Sequence, residues 1–261
     1  MQPVDQAVSL ARVDVTGGTR GIGAGIARAF LEAGAHVLVC GRTEPEALPA
    51  ADGESALFTP ADVRDPVQAR AVIATAKEHF GGVDVVISNA GGSPEAPAAT
   101  ASPRFHAKII ELNLTAPLHV AQAANEVMQA QPGGGSIVMI GSVSGSRPSP
   151  GTAAYGAAKA GLHHLVTSLA IEWGPKVRIN TVVPGFVVTE SPAEVYGDEE
   201  TAAAIAATVP LRRMATPDDV AAACLFLASP QAAYASGASL TLHGGGERPA
   251  FHSVRPPGRP G

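Results

Sequence analysis

With 261 residues, 46% of them hydrophobic, the chain can bury a full core, and we read it as one large domain. A formal net charge of −5 with no basic block excludes the electrostatic footprint of a nucleic-acid surface and of a protein that docks on anionic membrane. Two cysteines, Cys40 and Cys224, exclude a disulfide framework and a CxxC metal site; two buried, reduced thiols and no bound metal are expected.

No apolar run reaches the ~18 residues needed to span a bilayer. The N-terminal segment has no charged stretch followed by an apolar core and cleavage site, so a cytoplasmic protein without a membrane partner is expected. Apolar runs of about five residues alternate with longer helical segments, the pattern of repeated βαβ units. Strands are expected near 12–16, 36–40, 56–61, 83–89, 136–142, 177–183 and 239–243. Helices are expected near 21–33, 66–80, 103–131, 152–173 and 217–228, with an extra piece at 193–208. The reading is α/β: a doubly wound, seven-stranded parallel sheet with helices on both faces, Rossmann-like, over a single domain of residues 1–245. Residues 246–261, rich in Gly, Pro and Arg, form a tail, either extended or laid partly on a neighbouring subunit.

The first strand runs into Thr16-Gly17-Gly18-Thr19-Arg20-Gly21-Ile22-Gly23, and a helix follows at once. Gly17 suits a tight turn. Gly21 and Gly23, lacking Cβ, allow a pyrophosphate to approach backbone N–H groups at the helix start, so a dinucleotide is expected here. At the end of the second strand, where an acidic side chain would bind the ribose of NAD, stands Arg42. With Arg20 in the turn, two cations converge on a 2′-phosphate, which favours NADP over NAD.

Tyr155 and Lys159 stand four residues apart on an Ala-rich helix, and Ser142 lies thirteen residues before Tyr155 at the end of an apolar run. At i and i+4 the phenol and ammonium share a helical face, with Cβ atoms roughly 5–6 Å apart. The cation is expected to favour phenolate and make Tyr155 a proton donor and acceptor near neutral pH. His163 and His164 lie on the same helix and are read as packing or interface residues.

The glycine turn, Ser88-Asn89-Ala90-Gly91, Asn113, Ser142, Tyr155 with Lys159, and Pro184-Gly185 with Thr189 occur in one order. In that order they resemble the short-chain dehydrogenase/reductase family, over nearly the whole chain. The resemblance implies hydride transfer between NADP(H) and a small-molecule carbonyl or alcohol substrate. It gives Tyr155 the part of general acid/base, Lys159 that of lowering its pKa and holding the nicotinamide ribose, and Ser142 that of binding the substrate oxygen. Asn113 would hold a water that links Lys159 to solvent. It further implies cofactor contacts at Gly17, Thr19, Arg20, Gly21, Ile22, Gly23, Arg42, Asp62, Val63, Asn89, Gly91, Pro184, Gly185, Val187 and Thr189, besides Tyr155 and Lys159. A homotetramer, or a dimer, is implied too. For Asn89, holding the turn is an alternative to touching the cofactor.

Pocket walls are expected from loops 92–97 and 143–150 and segment 190–208, with Phe186 and Tyr196 as the larger apolar groups and few charges. Asp14 departs from the family pattern, since a carboxylate in a central strand costs several kcal/mol unless it is paired or protonated. Either Asp14 reaches a partner or solvent, or stability suffers. That altered strand is the only support for an alternative reading, a cofactor-binding protein with lost catalysis that acts through association or regulation.

Overall fold

A computed structural model describes residues 8, 10–190 and 196–247. Seven strands form one parallel sheet: β1 (Arg12–Thr16), β2 (His36–Gly41), β5 (Leu57–Pro60), β6 (Val85–Ser88), β7 (Gly135–Ile140), β8 (Val177–Pro184) and β9 (Ser239–Leu242). Their order is β5-β2-β1-β6-β7-β8-β9. The chain winds outward from β1 in one direction, then resumes at β6 and winds outward in the other. The carboxyl ends of β1 and β6 therefore bound the crevice where strand order reverses, the usual ligand position in such sheets.

Both faces of the sheet are covered. Val13 and Val15 point to the side of α1 (Gly21–Glu32) and α7 (Pro217–Ala228), where they join Ile26, Phe30, Val220 and Leu227 in one apolar layer. The other layer packs α2 (Pro66–Phe80), α4 (Ala116–Ala130) and α5 (Ala153–Trp173) on Leu38, Val86, Ile137 and Ile179. Local chemistry sets the helix ends. Asp65 accepts a bond from the Val67 N–H before Pro66 opens α2, and Gly81 closes it at φ 78°, a conformation that L residues avoid. Thr216 and Asp219 form a reciprocal capping box at the start of α7.

Two expectations are corrected, and one further element is found. The helix expected at 103–131 is broken into α3 (Pro103–Ile110), a π-helical turn (Glu111–Thr115) and α4, with the Ala116 N–H bonded to the Glu111 carbonyl. The extra helix expected at 193–208 is α6 (Glu199–Thr208), opened by the Asp198 carboxylate on the Thr201 N–H. Tyr196 is helical too, so Gly197 at φ 78° interrupts the expected piece, and residues 191–195 lie outside those described. A small hairpin, β3 (Ala50–Ala51) with β4 (Glu54–Ser55), was too short for the apolar pattern to reveal. The expected tail lies outside the described residues beyond Glu247.

Asp14 resolves towards the costly branch. β1 pairs in register with β2 and β6, Asp14 beside Leu38 and Val86, so the strand is not displaced. The side chain is 0% exposed, and neither carboxylate oxygen has a hydrogen-bond partner among the described residues. Burial pushes its pKa up to about 8, so the protein carries it as the neutral acid at pH 7. Cys40 and Cys224 are free, buried thiols with pKa values pushed up by burial.

Candidate active site

The glycine turn is held from the neighbouring strand. Asn89 donates from Nδ2 to the carbonyls of Thr16 and Gly17, both at 3.1 Å. The Thr16 hydroxyl accepts in return from the N–H groups of Asn89 and Ala90 at 3.0 and 3.1 Å. Turn-holding is thus what the Asn89 side chain does. A Cβ on Gly23 would lie 2.3 Å from the Gly17 carbonyl oxygen. Only glycine lets α1 start this close to the turn, and Gly17 itself sits at φ 63°.

The Gly21 N–H, at the start of α1, donates to both carboxylate oxygens of Glu190 at 3.1 and 3.0 Å. An anion thus already occupies this donor, which fits the helix-start pyrophosphate site. Thr189 lies against Gly21, and Thr19 packs beside Gly41 at the end of β2. Arg20 and Arg42 are exposed and join no ion pair among the described residues. Ile22 packs on the apolar layer beneath α1. Farther along the rim, Val63 is buried, and the Asp62 carboxylate is clasped by Arg64, which holds its pKa below the usual range. The Asp62 backbone is engaged as well, its N–H donating to Gln68 Oε1 at 2.9 Å and its carbonyl accepting from the Asp65 N–H at 3.0 Å.

The second cluster lies where β6, β7 and α5 meet. Lys159 is 3% exposed and donates from Nζ to the Ile140 carbonyl at 2.8 Å. Burial brings its pKa down to about 8. Its nitrogen stands 5.7 Å from the centroid of the Tyr155 ring. Here the fold corrects an expectation: the Tyr155 pKa is raised above its ordinary value, because burial outweighs the lowering by the Ser142 hydroxyl, and Tyr196 adds to the rise. Burial, not the ammonium, sets the direction of the phenol's pKa.

Asn113, fully buried in the π-helical turn, accepts from the Gly92 N–H and donates to the carbonyls of Gly92 and Ile109, at 2.9 to 3.0 Å. Both amide hydrogens are spent, so only a remaining Oδ1 lone pair is left for a water. Gly91 lies between this residue and Lys159: a Cβ there would be 2.8 Å from Asn113 Oδ1 and 3.4 Å from Lys159 Nζ. Across the crevice, Pro184 pairs with Leu242 and the Gly185 N–H donates to the Leu242 carbonyl at 2.8 Å. Val187 binds the Tyr196 hydroxyl through both its N–H and its carbonyl, at 2.9 and 3.0 Å.

The fold brings Asn113, Ser142, Tyr155 and Lys159 into one cluster beside Gly91 and sets Arg20, Arg42 and Asp62 on a separate rim. Glu190, Arg147 and the contact of His163 with Ser142 escaped the sequence reading of the site, whereas Phe186 and Tyr196 were expected in the pocket. Glu190 sits on the turn. Arg147 stands over the Phe186 ring at 5.8 Å and pairs with Glu247 at 2.6 Å, placing charge at a mouth expected to be apolar. Phe186 meets Tyr196 edge-on at 6.0 Å. His163, read as a packing or interface residue, is half-buried and its Nε2 accepts from the Ser142 N–H at 3.4 Å. Only the acidic residue directly after Thr189 offered a signal in the sequence, as an anion near an anion-binding turn.

No helix among the described residues is long and apolar enough to cross a membrane. A family model described as Enoyl-(Acyl carrier protein) reductase matches residues 17–247. The chain is 36% identical over 238 residues to a 3alpha-hydroxysteroid dehydrogenase of Mediterraneibacter gnavus, covering 88% of this chain and 94% of that one. It is also 36% identical over 234 residues to the 3-oxoacyl-[acyl-carrier-protein] reductase FabG of Vibrio cholerae, covering 88% and 95%. The solved structure of a short-chain type dehydrogenase/reductase from Mycobacterium marinum superposes with a TM-score of 0.86 at 31% identity, covering 95% of this chain and 100% of that one. Sequence, sheet order and the Tyr155 cluster agree: the chain belongs to the short-chain dehydrogenase/reductase family of nicotinamide-dependent oxidoreductases.

Proposed function

We propose that the chain is an NADP(H)-dependent carbonyl reductase or alcohol dehydrogenase in which Tyr155 is the general acid/base. The observation that carries this reading is the convergence of Tyr155, Lys159, Ser142 and Asn113 beside Gly91, at the mouth bounded by the glycine turn. The nicotinamide, when bound, supplies or accepts the hydride. Gly17, Gly21 and Gly23 would let the pyrophosphate reach the turn, and Arg20 and Arg42, in no ion pair among the described residues, would meet a 2′-phosphate.

In reduction, the Tyr155 hydroxyl gives its proton to the carbonyl oxygen as charge develops there, and the Ser142 hydroxyl donates to the same oxygen. A phenol held above its ordinary pKa stays protonated through neutral pH, which suits the acid role. Lys159 holds a positive charge under the ring. Asn113 fixes the Gly92 backbone, and with it the loop that borders both cofactor and substrate.

Substrate walls come from residues 92–97, the 143–150 loop, Phe186 and Tyr196, which favour a neutral or weakly polar carbonyl compound. The steroid and oxoacyl activities named for the two relatives are narrower forms of this reading. A cytoplasmic homotetramer remains part of the proposal, as does the division into a catalytic unit of residues 1–245 and a tail. The altered first strand gives no support to lost catalysis, since β1 keeps its full register with β2 and β6. The test is consumption of NADPH and of NADH with a panel of ketones and aldehydes, with Tyr155→Phe as control.

A further inference from the structure

We infer that His163 is a positioning residue for the proposed reaction: its neutral imidazole holds the Ser142 backbone, and with it the hydroxyl that meets the substrate oxygen. The inference rests on the catalytic reading above. His163 stands one helical turn beyond Lys159 on α5, and its Nε2 accepts a long hydrogen bond from the Ser142 N–H at 3.4 Å. The loop that carries Ser142 is shaped around the ring. A Cβ on Gly141 would lie 2.5 Å from Nε2, and one on Gly145 would lie 2.8 Å from the ring carbon Cε1. Gly141, directly before the serine, and Gly145, three residues after it, thus leave room for one imidazole.

An accepting Nε2 fixes the tautomer, with the proton on Nδ1. Protonation would put a second N–H opposite the Ser142 N–H, and the contact would turn from attraction to repulsion. The groups around the ring point the same way. On α5 itself the neighbouring charge is Lys159; from the β7 loop come Gly141, Ser142 and Gly145; and from β8 the Thr181 methyl meets the same Gly141 space. Burial and the Lys159 charge both hold the His163 pKa below 6.5. The imidazole is therefore neutral at pH 7 and charges only in acid, when the serine loop loosens.

Two variants and one spectroscopic readout test this. His163→Leu fills the space without an acceptor, while His163→Gln keeps an acceptor that does not titrate. The expected result is a loss of roughly three- to tenfold in kcat for His163→Leu, the size of one hydrogen bond, with cofactor Kd unchanged. His163→Gln should recover most of that loss and flatten the acid limb of kcat/KM. In the cofactor-free protein, nitrogen NMR should show the Nδ1–H tautomer of His163. Hydrogen exchange at the 142–146 amides, corrected for intrinsic pH dependence, should rise as His163 charges, and should not do so in His163→Gln. An Nε2–H tautomer, or an acid limb and exchange profile the same in all three proteins, overturns the inference. The NMR and exchange arms need no turnover. A wild-type protein that reduces no carbonyl yet shows the tautomer and the exchange step would sink the catalytic reading and leave the positioning contact standing.

Discussion

The Lys159 ammonium lies 5.7 Å from the centroid of the Tyr155 ring, yet its hydrogen bond goes to the Ile140 carbonyl. The two groups therefore titrate apart in the free enzyme, the amine down to about 8 and the phenol above its ordinary 10. For carbonyl reduction, kcat/KM reports free-enzyme ionisations. We predict an alkaline limb with a midpoint about 8, set by loss of the Lys159 charge while Tyr155 is still protonated. A limb found only above pH 10 would assign it to the phenol instead.

Asp14 makes a prediction about stability. Its folded pKa, about 8, lies above the unfolded 3.8, so the native state keeps a proton that the unfolded chain releases between those values. Stability must therefore fall as pH rises from about 4 to 8 and level off beyond. The size is on the order of several kcal/mol at pH 8. Asp14→Asn should flatten that slope while leaving an amide without partners, and Asp14→Leu should flatten it and also raise Tm, by on the order of 10 °C at pH 7.5. Calorimetry across pH decides; a clear drop in Tm for Asp14→Leu would mean that the carboxyl makes a satisfied, stabilising contact.

Cofactor choice is tested at the rim. Arg20 and Arg42 are exposed and join no ion pair among the described residues, so a 2′-phosphate gains charge-assisted bonds without breaking a salt bridge there. Arg42→Ala should weaken NADPH binding by about 10- to 100-fold and leave NADH binding nearly unchanged. Equal losses for both cofactors would remove the argument for NADP.

Glu190 bears on the same step. Its carboxylate accepts from the Gly21 N–H, the donor that a pyrophosphate would need. Glu190→Gln removes a competing anion and its repulsion, and should tighten dinucleotide binding by about three- to tenfold as read by calorimetry. Weaker binding would make Glu190 a contributor to the bound state.

The frame of the molecule was open to the sequence because its signals are local. Five-residue β-branched runs, Pro66 and Pro217 at helix starts, and glycines at the first turn each act over a few residues, and all seven strands fell where apolar runs put them. The spacing of Tyr155 and Lys159 is likewise a property of one helix. What the sequence hid depends on distant partners. The π-helical turn adds one residue per turn without disturbing composition, so nothing announced that Asn113 would be swung onto Gly92. His163 reaches Ser142 across 21 positions and Glu190 reaches Gly21 across 169. The direction of the Tyr155 pKa was misjudged for a related reason: helical spacing gives the distance to a cation, whereas burial, which dominates, is set by the whole fold.

The central claim is that the Tyr155 hydroxyl transfers the proton. Its most direct measurement is the loss of reduced-nicotinamide absorbance with a carbonyl panel, wild type against Tyr155→Phe, alongside NADPH Kd for both. The account predicts wild-type turnover that falls by about 10²–10⁴-fold in the variant with Kd little changed. NADPH bound equally by both proteins, with no Tyr155-dependent oxidation on any substrate, would contradict it.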